Sequence, residues 1–181
     1  MLILHTNMGL RSKIANRVLI SKLSSVSREK KIFNLDSAKT AGVIWEADQR
    51  EVFIRIENEL YLTGVKVVDI CYYPSKKAVV PEGINGFTRK DTHWWSEVPS
   101  SHLVDTFIHQ KFDILIDLTG QSSFPAIYMT ALSEAAFKIG YSGRSVNYFD
   151  LNIEFSEQPE AMQLAEQILY YLTRINKTTI E

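Results

Sequence analysis

The side chains of this chain best suited to chemistry are four histidines, one cysteine and a few carboxylates beside apolar runs. His102 and His109 stand seven residues apart, which on a helix is two turns and about 10 Å along the axis; chelating histidines on one helix sit a single turn apart. With only His93 nearby in sequence, no metal site is expected. Asp113 and Asp117 are separated by four residues in an apolar stretch that reads as a strand, so they share a face but stand about 13 Å apart, too far for an acid/base couple. The segment Gly140-Tyr141-Ser142-Gly143 lacks the Gly-x-Ser-x-Gly frame of a nucleophile elbow. Cys71 has no partner for a disulfide, which suits a buried thiol and a reducing compartment. These residues point to no catalytic group and no cofactor.

Binding chemistry is better represented. In an open α/β sheet, ligands sit beyond the carboxyl ends of the strands. The candidates there are Asp48, Asp117, Thr119, Gly120, Ser122, Ser123 and Arg144. Residues 119–123 lead into a helix whose free N–H groups would favour an anion such as a nucleotide or sugar phosphate. Neither Gly-x-Gly-x-x-Gly nor Gly-Lys-Ser/Thr is present, so no phosphate-loop mechanism is indicated, and ordinary helix capping accounts for the serines.

The second candidate is cationic. Residues 1–31 hold Arg11, Lys13, Arg17, Lys22, Arg28, Lys30 and Lys31 against Glu29, a surplus of six; within a net charge of −1 the rest of the chain is therefore short by seven. Such asymmetry suggests a basic arm that meets an anionic partner while the acidic body keeps the protein dissolved. Residues 87–95 add Arg89 and Lys90 interleaved with Phe87, Trp94 and Trp95, a composition suited to stacking bases or anchoring a protein. Tryptophans in long loops also fold back to close cores, which predicts at least one of Trp94 and Trp95 buried. Together these features point to a non-catalytic binding protein for RNA, a ribonucleoprotein or ribosomal particle, or an acidic protein, with a small-ligand site at the sheet edge as the alternative.

Several elements must position these residues. Asn7 is suited to cap a basic helix over 8–23, whose apolar residues form two stripes, Met8, Leu19, Ile20 and Leu23 on one side and Leu10, Ile14 and Val18 on the other. A second stripe could seat a partner or another copy of the chain. Residues 24–34 read as a polar linker, so the chain divides into an arm and linker, 1–34, and an α/β domain, 35–181. Strands are predicted over 41–46, 66–72, 112–118, 137–141 and 151–155. Helices start near Asp48 with Gly64 as its stop, at Ser100 or Ser101, at Ser122 or Ser123 with Pro125, and at Pro159. Residues 74–99 read as a long functional loop. Strands alternating with helices require crossovers. The expected fold is a single doubly wound, mostly parallel α/β sheet, Rossmann-like or flavodoxin-like, of about five strands with helices on both faces. Apolar content of 45% and 181 residues fit one globular domain. No membrane span, no secretory leader and a cytoplasmic location are expected.

Residues 112–144, FDILIDLTGQSSFPAIYMTALSEAAFKIGYSGR, resemble the segment of heptosyltransferase-type GT-B glycosyltransferases in which a D-x-x-I-D-L strand precedes a helix and an R/K-I-G-[FY] strand. That resemblance implies the N-terminal half-domain of such an enzyme, without the second domain that holds its sugar nucleotide. Over most of its length the chain is also similar to an uncharacterised bacterial family of small α/β proteins with a basic N-terminal helix, which implies a fold and no activity.

Overall fold

The computed structural model describes residues 2–143 and 146–175. The basic helix α1 spans Leu2–Leu23, one and a half turns earlier than expected. Asn7 therefore lies inside the helix and is not its cap. Then follow β1 (Thr40–Glu46), a 3-10 turn (Ala47–Gln49) and α2 (Arg50–Leu62). β2 is Lys66–Tyr73, β3 Gly86–Thr88, α3 His102–His109 and β4 Ile114–Asp117. The chain continues through α4 (Phe124–Leu132), β5 (Phe137–Gly140), β6 (Leu151–Asn152) and α5 (Ala161–Arg174).

Three of the expected helix signals, Ser101, Ser123 and Gly64, are in place, whereas the last helix starts at Ala161 with Glu160 as its cap and not at Pro159. Ser101 accepts from the Leu103 amide and Ser123 from the Ala126 amide, while Gly64 takes φ +79° after α2, where a side chain would be strained. The capping box at the start of the second helical segment is formed by Glu46 with Gln49, so the segment begins just before Asp48.

All neighbouring strands are parallel, in the order β3-β2-β1-β4-β5-β6. The sheet thus has six strands; the additional one, β3, comes from the stretch expected to be loop. This order places a topological switch point between β1 and β4, where the chain's direction of winding reverses. The register sets Ala41 opposite Ile114 and Ile44 opposite Asp117.

Strand alternation divides the core in two. Val43, Trp45, Ile114, Ile116 and Ile139 face α2 and α5, where Trp45 stacks on Phe53 at 4.8 Å; Ile44, Ile70 and Leu115 face α1, α3 and α4. Gly42 lies on this second face because a Cβ there would stand 2.6 Å from the Phe112 ring. Cys71 is buried and unpaired, its thiol pushed up to about 12 by burial. No helix among the described residues is long and apolar enough to cross a membrane.

One carboxylate and one ammonium side chain lie inside the second face. Asp117 is fully buried, its carboxylate accepting from the Thr119 amide, the Thr119 hydroxyl and the Thr130 hydroxyl. Burial outweighs those three bonds and raises its pKa to about 6. Lys138, 2% exposed, donates to the carbonyls of Thr130 and Ala131 in the last turn of α4. Burial lowers its pKa to about 7, and the Arg28 charge pushes the same way.

Candidate functional site

α1 packs against α4 through Ala15 and Leu19, with Val18 and Leu23 alongside. The buried stripe thus mixes members of the two expected ones: Leu10 and Ile20 both remain exposed, at 56% and 64%. Lys22 secures the contact by donating to the Tyr128 hydroxyl at 2.8 Å. With the apolar residues 15, 18, 19 and 23 turned inward, Lys13 and Arg17 face solvent on the opposite side, while Arg11, on the stripe of Ala15 and Val18, is exposed toward the loop before α3.

The loop between β3 and α3 is held rigid from beneath. A 3-10 turn (Arg89–Asp91) is capped by Thr88 and Asp91, Thr92 bridges to Pro99, and Val98 and Ser96 are buried. The tip is left outside. Trp94 is 70% exposed and Trp95 36%, so neither closes the core. Phe87 and Val98 are the apolar side chains of this segment that join the core, and Trp95 lies in the wall of an open cleft instead.

The fold brings these two separately coded elements together. The Arg11 guanidinium stands 6.0 Å from the centre of the Trp94 ring, at the outer limit for a cation–π contact. Further along, α1, this loop and α3 enclose a cleft of about 510 Å³. Lys22, His93, Trp95, His102, Asp105 and Tyr128 line it, and the amino end of α3 at Ser101 opens onto it. His93 and Trp95 lie against each other with ring centres 6.0 Å apart. Helix N–H dipoles, an ammonium and flat aromatic surfaces meet in one concavity, a combination that favours an anion carrying planar groups. His93, His102 and Tyr128 carried no sequence signal for this role, because the cleft is built from elements distant along the chain.

The remaining cations do other things. Arg28 is not part of this surface: it makes a two-point contact with Asp150 at 2.6 and 2.8 Å and also donates to the Ala135 carbonyl. Asp150, held low by Arg28 despite its burial, in turn accepts from the Lys138 amide. Lys30 stands 3.5 Å from the same carboxylate, and Lys31 lies over the Phe33 ring. Arg89 is neutralised by Glu97 across the loop, whereas Lys90 is exposed. The cationic surface is therefore Arg11, Lys13, Arg17, Lys22 and Lys90, narrower than the composition implies.

At the sheet edge the candidates separate. Asp117 and Thr119 are turned inward and bonded to each other, and the Asp117 carboxylate is taken up by Thr119 and Thr130. Ser123 is occupied as a cap, and Asp48 is exposed in the 3-10 turn. Ser122 donates to Glu46 at 2.9 Å, joining the ends of β4 and β1, and Gly120 turns the backbone with φ +60°. Arg144 lies outside the described residues. Among the described residues no cluster of His, Cys, Asp or Glu is arranged to hold a metal.

Comparison with curated proteins finds no match. The model of a family of unknown function, DUF6913, matches residues 11–175, from the first cation of the exposed helix face to the end of α5, and the chain belongs to that family.

Proposed function

We propose that this protein binds single-stranded RNA, free or within a ribonucleoprotein particle, without catalysis, on the surface formed by α1, the loop over 89–101 and the cleft between them. The observation that carries this reading is the convergence of Arg11 on the exposed Trp94 ring beside a cleft floored by Lys22 and Tyr128. Phosphates would meet Arg11, Lys13, Arg17 and Lys90; bases would stack on Trp94 and Trp95. Exposed tryptophans favour RNA over an acidic protein, since every base offers a flat face and stacking contributes about 1–3 kcal/mol per base.

Anisotropy of a labelled single-stranded RNA tests this. Four phosphate contacts predict a slope of log affinity against log salt of about −3. Reversal of Arg11, Lys13 and Arg17 to Glu abolishes binding, and Trp94→Ala weakens it roughly tenfold. Binding that ignores salt, or no binding, overturns the reading. Equal competition by polyglutamate with no effect of Trp94→Ala assigns the surface to an acidic protein instead.

A further inference from the structure

A different feature stands at the switch point between β1 and β4. Gln121 follows Gly120 in the turn from β4 to α4, and both residues are left-handed, at φ +56° and +60°. Gln121 is 3% exposed, yet neither its amide nitrogen nor its amide oxygen has a hydrogen-bond partner among the described residues. The other buried side-chain polar groups near it are satisfied among the described residues: Asp117 by Thr119 and Thr130, Thr119 by Asp117 and the Gln121 backbone N–H. Leaving such a group unmet costs about 1–3 kcal/mol, so a carboxamide held in a strained backbone position without a partner is an expense the fold does not itself recover. Its location is the place where open parallel sheets of this strand order bind their ligands.

We infer that this crevice binds a small neutral polyhydroxylated molecule, a sugar or polyol, through the Gln121 side chain. Two properties set the class. The unmet atoms are one donor and one acceptor, and a hydroxyl group is both, so one or two hydroxyls satisfy the pair. Among the described residues the charges that meet the turn are acidic, with Glu46 bonded to Ser122 and Asp117 bonded to Thr119, which disfavours a phosphate or carboxylate. The neighbouring groups are neutral amides: Gln49 joins Glu46 to the Leu118 carbonyl, and the Gln158 amide nitrogen lies 2.7 Å from where a Gly120 Cβ would stand. The Glu46–Ser122 hydrogen bond spans the crevice and is exposed, so an entering hydroxyl can exchange with it. None of these residues lines the cleft beside α1, and this site does not depend on RNA binding.

The test is nitrogen-15 NMR of the full chain, with the Gln121 side-chain amide assigned by its loss in Gln121→Glu. D-ribose, D-glucose and myo-inositol are titrated separately, with inorganic phosphate as the anionic contrast. A saturable shift of the Gln121 amide signals with at least one polyol is expected, together with roughly tenfold weaker binding by Gln121→Leu. That variant is expected to melt no lower than the wild type, because the amide it removes has no protein partner, and to keep its RNA affinity. A lower melting temperature for Gln121→Leu identifies a structural water as the partner and overturns the inference. So does a response to phosphate alone, or silence with all three polyols.

Discussion

Lys138 offers a quantitative test of how this core is balanced. Its ammonium would be the last donor available to the Thr130 and Ala131 carbonyls, yet burial lowers its pKa from 10.5 to about 7. In the unfolded chain the group stays protonated up to 10.5, so between pH 7 and 10.5 the unfolded state binds the extra proton. Stability from this group therefore rises with pH through that window, by about 1.4 kcal/mol per unit and about 5 kcal/mol in all, and is flat below pH 7. Lys138→Met removes the titration and leaves two carbonyls unmet, at about 1–3 kcal/mol each. At alkaline pH the wild type should be more stable by roughly that sum; near pH 7 the cost of discharging the lysine cancels it, and the two proteins should be close to equal. Urea unfolding of both from pH 7 to 9.5 isolates the term, because every other titrating group is shared. A stability difference that stays constant across the window would refute the reasoning. It would mean that the α4 carbonyls and helix dipole hold the ammonium charged.

Asp117 should behave oppositely to a surface carboxylate: with its pKa raised to about 6, stability falls as pH rises from about 4 to 6, and Asp117→Asn removes that slope in pH-dependent melts. Gly42→Ala should cost about 1–3 kcal/mol by forcing a methyl into the Phe112 ring, and Phe112→Leu in the same chain should recover part of the loss in chemical unfolding. Arg28→Ala should cost about 1–3 kcal/mol by removing the two-point contact with Asp150, which keeps only Lys30 and the Lys138 amide among the partners described, whereas Arg11→Ala should leave the melting temperature unchanged; equal effects would contradict the division of cations drawn above.

The long elements were legible because their local signals agree with the fold. Ser101, Ser123 and Gly64 punctuate helices by mechanisms confined to a few residues, and residues 114–117 are apolar or inward-facing throughout, as a strand covered on both faces must be. β3 was not legible. Gly86, Phe87 and Thr88 are too few to show a period, and they pair with β2 across a long excursion that only the folded sheet closes. β6 shrinks to Leu151–Asn152 because the chain turns away after Ile153 bonds to the Gly140 carbonyl. At the binding surface, the residue types were readable but their allegiance was not. Arg28 reads as one more cation of a basic arm until Asp150, 122 residues away, appears beside it. Gln121 gave no signal, since an amide is informative only when its partners are missing.

The position of α1 carries the functional argument further than its composition does. α2, α3, α4 and α5 lie between or after strands, so crossover geometry places them and their outward faces are by-products of that placement. α1 precedes β1 and, among the described residues, is held by Ala15, Leu19 and the Lys22–Tyr128 bond with their apolar neighbours. A helix needed merely to cover α4 would be expected to end its exposed face in mixed charges, as α2 does with its Arg55–Glu59 pair. Instead Lys13 and Arg17 stand beside exposed Leu10 and Ile20 on a helix with no acidic residue anywhere in its length, and Arg11 adds a third cation on the side toward Trp94. Lys13 and Arg17, one turn apart on that exposed side, repel each other in a way folding alone does not require, and an anion brought to them relieves the repulsion.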